Sequence, residues 1–105
     1  MRCLAVCQSE LLIRMLDEAL DPSFEVGFLV ESKPLARKLH EAGLPVTAGD
    51  LRRTDTYLKA DLTPGTCVIV EDIGQRSLKR TVEAIRDAGA ALVYVLAAGT
   101  PNFHE

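Results

Sequence analysis

The period of apolar and polar residues changes repeatedly along the chain, and each change marks a predicted element. Short runs of β-branched and apolar residues alternate with longer segments whose apolar residues recur at helical spacing. The pattern predicts five strands, at residues 2–6, 25–30, 45–48, 67–71 and 91–96. It predicts four helices between them, at residues 9–20, 34–42, 55–59 and 75–88.

The ends of these predicted helices contain residues that commonly begin or end helices. Ser9 is suited to cap the first helix, because its hydroxyl can accept a hydrogen bond from a backbone N–H of the first turn. Glu10 follows where the helix dipole favours negative charge, and Pro34 suits the first turn of the second helix. Gly43 and Gly89 directly follow two of the helices, where a left-handed residue is common.

Alternating strands and helices are typical of a parallel α/β sheet with right-handed crossovers. The fourth strand is nearly all apolar, as expected of a central strand buried on both faces. The doubly wound order 3-2-1-4-5 puts a crevice at the carboxyl ends of strands one and four, where the strand order reverses. We therefore expect a Rossmann-like doubly wound parallel sheet with helices on both faces and its functional residues in the loops after the strands.

The first of these loops lacks the glycines of a dinucleotide site. That site needs glycine for the tight turn, for the approach of the pyrophosphate to the backbone and for close helix–strand packing. Cys7, Ser9 and Leu12 occupy the three positions. We expect Leu12 to push the helix away from the sheet and Glu10 to bring negative charge to the phosphate position. The helix start would still offer unpaired N–H groups, so the loop binds either nothing or a small anion.

Four acidic residues follow strands at the same predicted edge of the sheet. Glu31 follows the second strand, where an acid can hold an adenosine ribose or only cap the next helix. Asp50 follows the third strand and could contact an adenine or cap the next segment. Glu71 and Asp72 end the central strand and would make the crevice negative, which disfavours an anion and suits a cation. Chance placement of loop acids is the alternative.

Composition and charge exclude several classes of function. The 105 residues, 48% apolar and 26% charged, suit one globular domain, residues 1–105. Twelve basic against fifteen acidic residues give a net charge of −3, so binding to nucleic acid or to an anionic membrane surface is not expected. The longest uncharged, mostly apolar stretch, residues 88–101, is too short to insert across a bilayer.

Three cysteines, Cys3, Cys7 and Cys67, are an odd number without a CxxC pair, so we expect reduced thiols in the cytoplasm rather than a disulfide framework. At a helix start the pKa of Cys7 could be lowered, or Cys7 could be a small buried filler. His40 and His104 have no ligand spacing, so no metal site is expected. No nucleophile, base and orienting residue form a set, which argues against an enzyme.

Several segments together support a resemblance to a known family. They are the first strand and its helix, Glu31 shortly before Pro34, residues 39–50, Leu58, and residues 60–62 and 67–71. The most specific of them is the run Gly-x-Pro-Val-x-x-Gly-Asp at residues 43–50. Over nearly its whole length the chain resembles the TrkA-N family, the N-terminal Rossmann domain of potassium-conductance regulators (RCK domains).

The resemblance implies a domain that binds NAD(H), ATP, ADP or a related nucleotide. In that family, ligand occupancy changes the packing of paired domains and so gates a channel or transporter, and similar domains precede DHH-type phosphoesterases. Carried over by position, the implied nucleotide contacts are Cys7, Gln8 and Ser9 at the phosphates, Glu31 at the ribose, Asp50 and Leu51 at the base, and Glu71 and Asp72.

Because the glycine motif is absent, we expect a non-enzymatic regulatory domain with a degenerate nucleotide site and no cofactor. It would act by homodimerisation or by contact with a transporter or channel subunit or a fused C-terminal domain. The alternatives are a functional NAD(H), ATP or AMP sensor of potassium transport and the regulatory N-terminal domain of a DHH-type phosphoesterase. The family's domain continues into another strand and helix, so residues 92–96 would here be an exposed apolar edge. We expect either an N-terminal domain of a longer protein or a chain that self-associates.

Overall fold

The computed structural model describes residues 2–20, 22–60 and 62–97. Strands and helices alternate along this part of the chain: β1 (Arg2–Val6), α1 (Glu10–Ala19), β2 (Glu25–Val30), α2 (Lys33–Glu41), β3 (Val46–Ala48), α3 (Thr54–Lys59), β4 (Cys67–Glu71), α4 (Leu78–Asp87) and β5 (Leu92–Leu96). The strands are parallel and form one sheet in the order β3-β2-β1-β4-β5. The predicted Rossmann-like fold and its strand order are therefore confirmed.

The bounds of β1, β2 and β4 agree with the sequence prediction, and the other bounds differ by at most one residue except at the start of α4. That helix begins at Leu78 and not at Gln75. The Gln75 side chain accepts a hydrogen bond from the N–H of Ile73 at 2.8 Å and donates to the carbonyl of Glu71 at 3.0 Å. These contacts hold the segment before α4 as a loop, which helical periodicity alone does not reveal.

The strand register brings the ends of the strands to a common edge of the sheet. Val6, the last residue of β1, is the partner of Leu29 on one side and of Val70 on the other. Val30 is in turn the partner of Ala48. The loops after β1, β2, β3 and β4 therefore meet at this edge, where ligands bind in doubly wound sheets.

The core has one layer on each face of the sheet. The layer under α1 and α2 consists of Ala5, Cys7, Leu12, Ile13, Phe28, Val30, Ala36, Leu39 and Val46. The layer under α3 and α4 consists of Val6, Leu29, Leu51, Tyr57, Val68, Val70, Ala84, Ile85 and Ala90. Leu12, at the third glycine position of a dinucleotide loop, is thus a packed core residue between α1 and the sheet.

The two edges of the sheet differ in length and exposure. The edge strand β3 has three residues, whereas β5 has five, of which Tyr94 and Val95 are at least half exposed. No helix within the described ranges is long and apolar enough to cross a membrane. Of the uncharged stretch 88–101, residues 98–101 lie outside those ranges.

Candidate functional site

The side chain of Glu71, at the end of β4, lies against the start of α1. Its Oε1 accepts hydrogen bonds from the backbone N–H groups of Gln8, at 2.6 Å, and Ser9, at 3.0 Å. Its Oε2 accepts from the Ser9 hydroxyl at 2.8 Å. Glu71 is only 2% exposed. Three donors of the first loop therefore converge on one buried carboxylate.

Ser9 takes part in this arrangement while it also begins the helix. It is the N-cap of α1, as predicted, with an extended backbone. Its hydroxyl oxygen accepts from the N–H of Leu12 at 3.4 Å and donates its own hydrogen to Glu71. One hydroxyl can donate once and accept at the same time. Ser9 thus joins the first turn of α1 to the end of β4.

The loop after β4 is held by its own side chains, and this fixes the position of Glu71. A carboxylate oxygen of Asp72 accepts from the N–H of Gly74 at 2.8 Å, in a turn that Gly74 closes with a φ of 81°. The N–H of Asp72 donates to the carbonyl of Leu96 at 2.8 Å. The Asp72 carboxylate is thereby engaged in its own turn.

The contacts of Glu71 change what the first loop can bind. In a dinucleotide site the N–H groups at the helix start bind phosphate. Here the N–H groups of Gln8 and Ser9 donate to Glu71, so the expectation that they are unpaired is wrong for these two. Hydrogen bonds to a charged acceptor are worth about 1.5–3 kcal/mol each. A phosphate that bound here would have to replace the hydrogen bonds to Glu71 and would lie next to the negative charge of that carboxylate. The residues present do not fit a pyrophosphate here.

Glu10, expected to bring negative charge to this helix end, is bound by two cations. Its carboxylate lies 2.8 Å from Nε of Arg14 and 2.9 Å from Nζ of Lys38. These partners, Lys38 first, lower the pKa of Glu10. The pair with Lys38 also links α1 to α2.

Glu31 and Asp50 lie near the same buried hydroxyl. Tyr57 is fully buried and donates its hydroxyl hydrogen to the carbonyl of Leu51. Burial raises the pKa of Tyr57, and the negative charges of Asp50 and Glu31 raise it further. The charges of the predicted ribose acid and of the predicted base-side acid therefore both act on one hydroxyl.

Asp50 is oriented by the residues that follow it. Its Oδ1 accepts from the backbone N–H of Arg52 at 3.0 Å and from the guanidinium of Arg52 at 3.3 Å. These two hydrogen bonds, the backbone one first, lower the pKa of Asp50. The hydroxyl of Thr56 donates to the Asp50 carbonyl at 2.7 Å. Arg52 thus binds the side chain of Asp50, and Thr56 on α3 binds its backbone carbonyl.

Two other predicted site residues belong to the core. The Leu51 side chain is buried under α3 and α4. The polar group of Leu51 at this edge is its backbone carbonyl, which accepts from the Tyr57 hydroxyl. Cys7 is completely buried. Burial, with a further contribution from the charge of Glu71, raises the pKa of Cys7 to about 12. This is opposite to the lowering that a helix start can produce, and it agrees with the alternative of a buried filler.

Two grooves lie on the face of the sheet that α3 and α4 cover. One, of about 610 Å³, is next to the end of β3 and is lined by Leu4, Leu29, Thr47, Ala48, Gly49, Asp50, Arg53, Asp55, Thr56, Lys59 and Ala60. The other, of about 490 Å³, lies between α3 and α4 and has a mixed charged lining that includes Arg52, Arg80 and Glu83. Neither of these two grooves is lined by Ser9 or Glu71.

The acids at the sheet edge do not form a common metal site. Glu71 binds the first loop, Asp72 its own turn and Asp50 the residues after it. In the part of the chain that the structure describes, no three His, Cys, Asp or Glu side chains are grouped so that they could hold a metal ion.

Sequence reasoning placed Glu71 and Ser9 at one edge but did not predict their contact. The available signal was the central position of β4 next to β1, which brings the end of one strand beside the loop of the other. An alternation pattern does not show whether a strand-ending acid points to solvent or into that loop.

The fold has a counterpart among solved structures. The crystal structure of the Citrobacter sp. triphenylmethane reductase complexed with NADP(H) superposes with a TM-score of 0.62 at 19% sequence identity. The match covers 92% of this chain and 37% of the reductase chain, and at this identity it shows the Rossmann-like fold alone. No protein-family model matches the sequence, and no curated protein does. The TrkA-N family is therefore not confirmed.

Proposed function

We propose that the chain is a non-enzymatic regulatory domain of the TrkA-N type with a degenerate nucleotide site. The observation that supports this most is the Glu71 carboxylate at the start of α1, hydrogen-bonded to Gln8 and Ser9. A carboxylate of the chain itself satisfies the donors that a nucleotide phosphate would otherwise satisfy. The N–H groups of Gln8 and Ser9 thus have a hydrogen-bond acceptor without a bound ligand.

The state of the reactive groups favours a regulatory role over catalysis. The thiol of Cys7 and the hydroxyl of Tyr57 are buried, and both have raised pKa values. The hydroxyl of Ser9 donates its hydrogen bond to the Glu71 carboxylate and not to a histidine that could act as a general base. A domain of this kind would act through contact with a transporter, a channel subunit or an attached domain, or through dimerisation.

The surface for dimerisation is the outer edge of β5, which has no further strand beside it among residues 2–20, 22–60 and 62–97, and its partner is a second copy of this chain. Residues 90–97 contain no charged residue and no proline, the two features that usually protect an edge strand. Antiparallel pairing of β5 with its copy would extend the sheet across a two-fold axis. It would also cover Tyr94 and Val95, which are 57% and 50% exposed.

Titration calorimetry of NAD⁺, NADH, ATP and AMP tests the degenerate site. We expect no binding in the micromolar range by the natural chain. Micromolar binding of any of the four would instead support a functional sensor and would end the proposal of a degenerate site.

A Glu71→Ala variant tests the role of the carboxylate with inorganic phosphate as the probe. Removal of the side chain frees the N–H groups of Gln8 and Ser9, so phosphate should raise the melting temperature of this variant more than that of the natural chain. Asp72→Ala is the matched control, because Asp72 binds Gly74 and not the first loop. An equal phosphate effect in both variants would contradict the proposal.

A second candidate function is binding of an adenine nucleoside by Glu31 and Asp50. It is favoured by their shared effect on the Tyr57 hydroxyl and by the groove beside Asp50. Without a phosphate loop, the ligand would be held at its ribose and base, so adenosine should bind as tightly as AMP. Glu31→Gln and Asp50→Asn should each abolish the binding heat of adenosine, whereas Asp17→Asn, at an exposed position on α1 outside the groove, should not. No heat with the natural chain would exclude this candidate.

A further inference from the structure

Two of the three cysteines are direct neighbours in the sheet. Cys3 on β1 and Cys67 on β4 are register partners in the parallel pairing of these strands. Residues that are partners on neighbouring strands point to the same face, and such strands lie about 4.8 Å apart. The Cys3 thiol is also a hydrogen-bonding neighbour of the Cys67 side chain. The two cysteine side chains therefore lie side by side on the neighbouring strands β1 and β4.

This placement meets the first requirement for a disulfide. Disulfides ordinarily join residues whose Cα atoms are about 4.4–6.8 Å apart, and the strand spacing falls at the short end of that range. Cys7 cannot form a disulfide with Cys3 in place of Cys67, because a separation of four residues along an extended chain puts the two about 13 Å apart. Cys3 is 5% exposed, whereas Cys67 is partly exposed and offers the entry point for a reagent.

We propose that Cys3 and Cys67 form a modification site, a cross-strand dithiol that a hydroperoxide converts reversibly into an intramolecular disulfide. In the resting protein both thiols are free. Burial raises the pKa of Cys67, and Cys3 adds to the rise through its charge and its hydrogen bond, so the reactive thiolate is a minor form at neutral pH and oxidation should become faster as the pH rises. The proposal does not depend on the function proposed above.

The oxidation takes two balanced steps. The Cys67 thiol first loses its proton to solvent, and the thiolate attacks one oxygen of the hydroperoxide. The O–O bond breaks, which leaves a sulfenic acid on Cys67, and the other oxygen takes up a proton and leaves as water or an alcohol. The Cys3 sulfur then attacks the Cys67 sulfur, and the S–O bond breaks. The hydroxyl leaves as water with the proton of Cys3. The two thiols have lost two electrons, and the peroxide has gained them.

The disulfide should be easy to reduce. Closing a bond between neighbouring strands requires the sheet to adjust, and departures from relaxed disulfide geometry make the bond more reducible. Labile disulfides of this kind are typical of regulatory and not of structural cysteines. Reduced glutathione should therefore return the pair to the dithiol.

The test treats the folded, reduced full chain with hydrogen peroxide and measures the intact mass without reductant. We expect the monomer to lose the mass of two hydrogen atoms, with a peptide map that links Cys3 to Cys67 and leaves Cys7 open to alkylation. Glutathione should restore the original mass. Cys3→Ser and Cys67→Ser should each abolish the loss, whereas Cys7→Ala should keep it.

Three results would overturn the proposal. The first is the addition of oxygen atoms to Cys67 while Cys3 stays open to alkylation in the natural chain. The second is a linkage that includes Cys7. The third is a disulfide found between two copies of the chain with none within a monomer.

Discussion

A buried carboxylate is costly unless charged or polar donors compensate for the lost hydration. Glu71 is compensated by the N–H groups of Gln8 and Ser9 and by the Ser9 hydroxyl, all from a loop more than sixty positions away in the chain. The N–H groups of Gln8 and of the N-cap Ser9 precede the residues of α1, so no carbonyl within the helix accepts from them. At the scale of one residue, the hydrogen bonds of Glu71 thus compensate for the burial of its carboxylate and also supply an acceptor for the donors at the start of α1.

We therefore predict that Glu71→Ala lowers the free energy of unfolding by about 3 kcal/mol, since it leaves buried donors without an acceptor. Glu71→Gln keeps an oxygen for the two N–H groups and should cost about half as much. Urea denaturation of both variants measures these values. The prediction is wrong if the alanine variant is as stable as the natural chain.

At the scale of elements, α1 and α2 are linked by the ion pair of Glu10 with Lys38, while Arg14 pairs with Glu10 within α1. Lys38 and then Arg14 lower the pKa of Glu10 from its ordinary value of 4.5. A carboxyl whose pKa is lowered by folding stabilises the protein above its ordinary pKa and loses that contribution as the pH falls through the folded value.

We predict that Glu10→Gln is slightly less stable than the natural chain at pH 7, and that the difference shrinks as the pH falls from 4.5 through the lowered pKa of folded Glu10. Because these side chains are exposed, 0.5 M salt should also reduce the difference. Urea denaturation at pH 7 and pH 3 checks both effects, with Glu18→Gln, an exposed position on the same helix, as the control. A difference that is unchanged at pH 3 would contradict the ion-pair explanation.

The contact between α3 and the end of β3 depends on a small residue. A Cβ atom at Gly49 would lie 2.8 Å from Cγ2 of Thr56, which is closer than two carbon atoms can pack. Thr56 cannot easily move, because its hydroxyl donates to the Asp50 carbonyl and a β-branched side chain has few rotamers. The glycine of the Gly-Asp pair thus lets α3 pack closely on the sheet edge.

Gly49→Ala should therefore lower the free energy of unfolding by about 1–3 kcal/mol through overpacking. Thr56→Ser removes the clashing methyl group and keeps the hydroxyl, so the double variant should regain most of the loss. Chemical denaturation of the two single variants and the double variant measures the coupling. Additive effects of the two substitutions would show that the clash is not the cause.

At the scale of the whole molecule, the two edges of the sheet are unequal. The three-residue β3 offers little backbone for pairing, whereas β5 offers five residues with apolar side chains. Long apolar edge strands are sites of self-association unless charge or proline protects them. We therefore assign the proposed dimer contact to β5.

Sedimentation velocity should show a dimer of the natural chain at concentrations of about 100 μM, within the range of weak interfaces. Tyr94→Lys should give a monomer, because a lysine on an edge strand opposes pairing with a second copy. Leu58→Lys is the matched control, since Leu58 on α3 is also 57% exposed. A natural chain that is monomeric, or equal effects of the two lysines, would exclude β5 as the interface.

The succession of elements, the strand order and the cap of α1 by Ser9 follow from the sequence. They depend on local periodicity, on capping chemistry and on the handedness of crossovers, which act over a few residues or apply to every parallel sheet. The start of α4 does not follow, because the Gln75 side chain overrides the helical pattern through contacts with its own loop.

Only the tertiary structure decided what the site residues do. That Glu71 fills the start of α1, that the charges of Glu31 and Asp50 both act on Tyr57, and that Cys3 lies beside Cys67 all depend on strand register and side-chain direction. These are relations between residues far apart in the chain, and they arise when the sheet closes and its two faces pack. Residue types and spacing place such groups at one edge or on neighbouring strands, whereas packing determines which atoms meet.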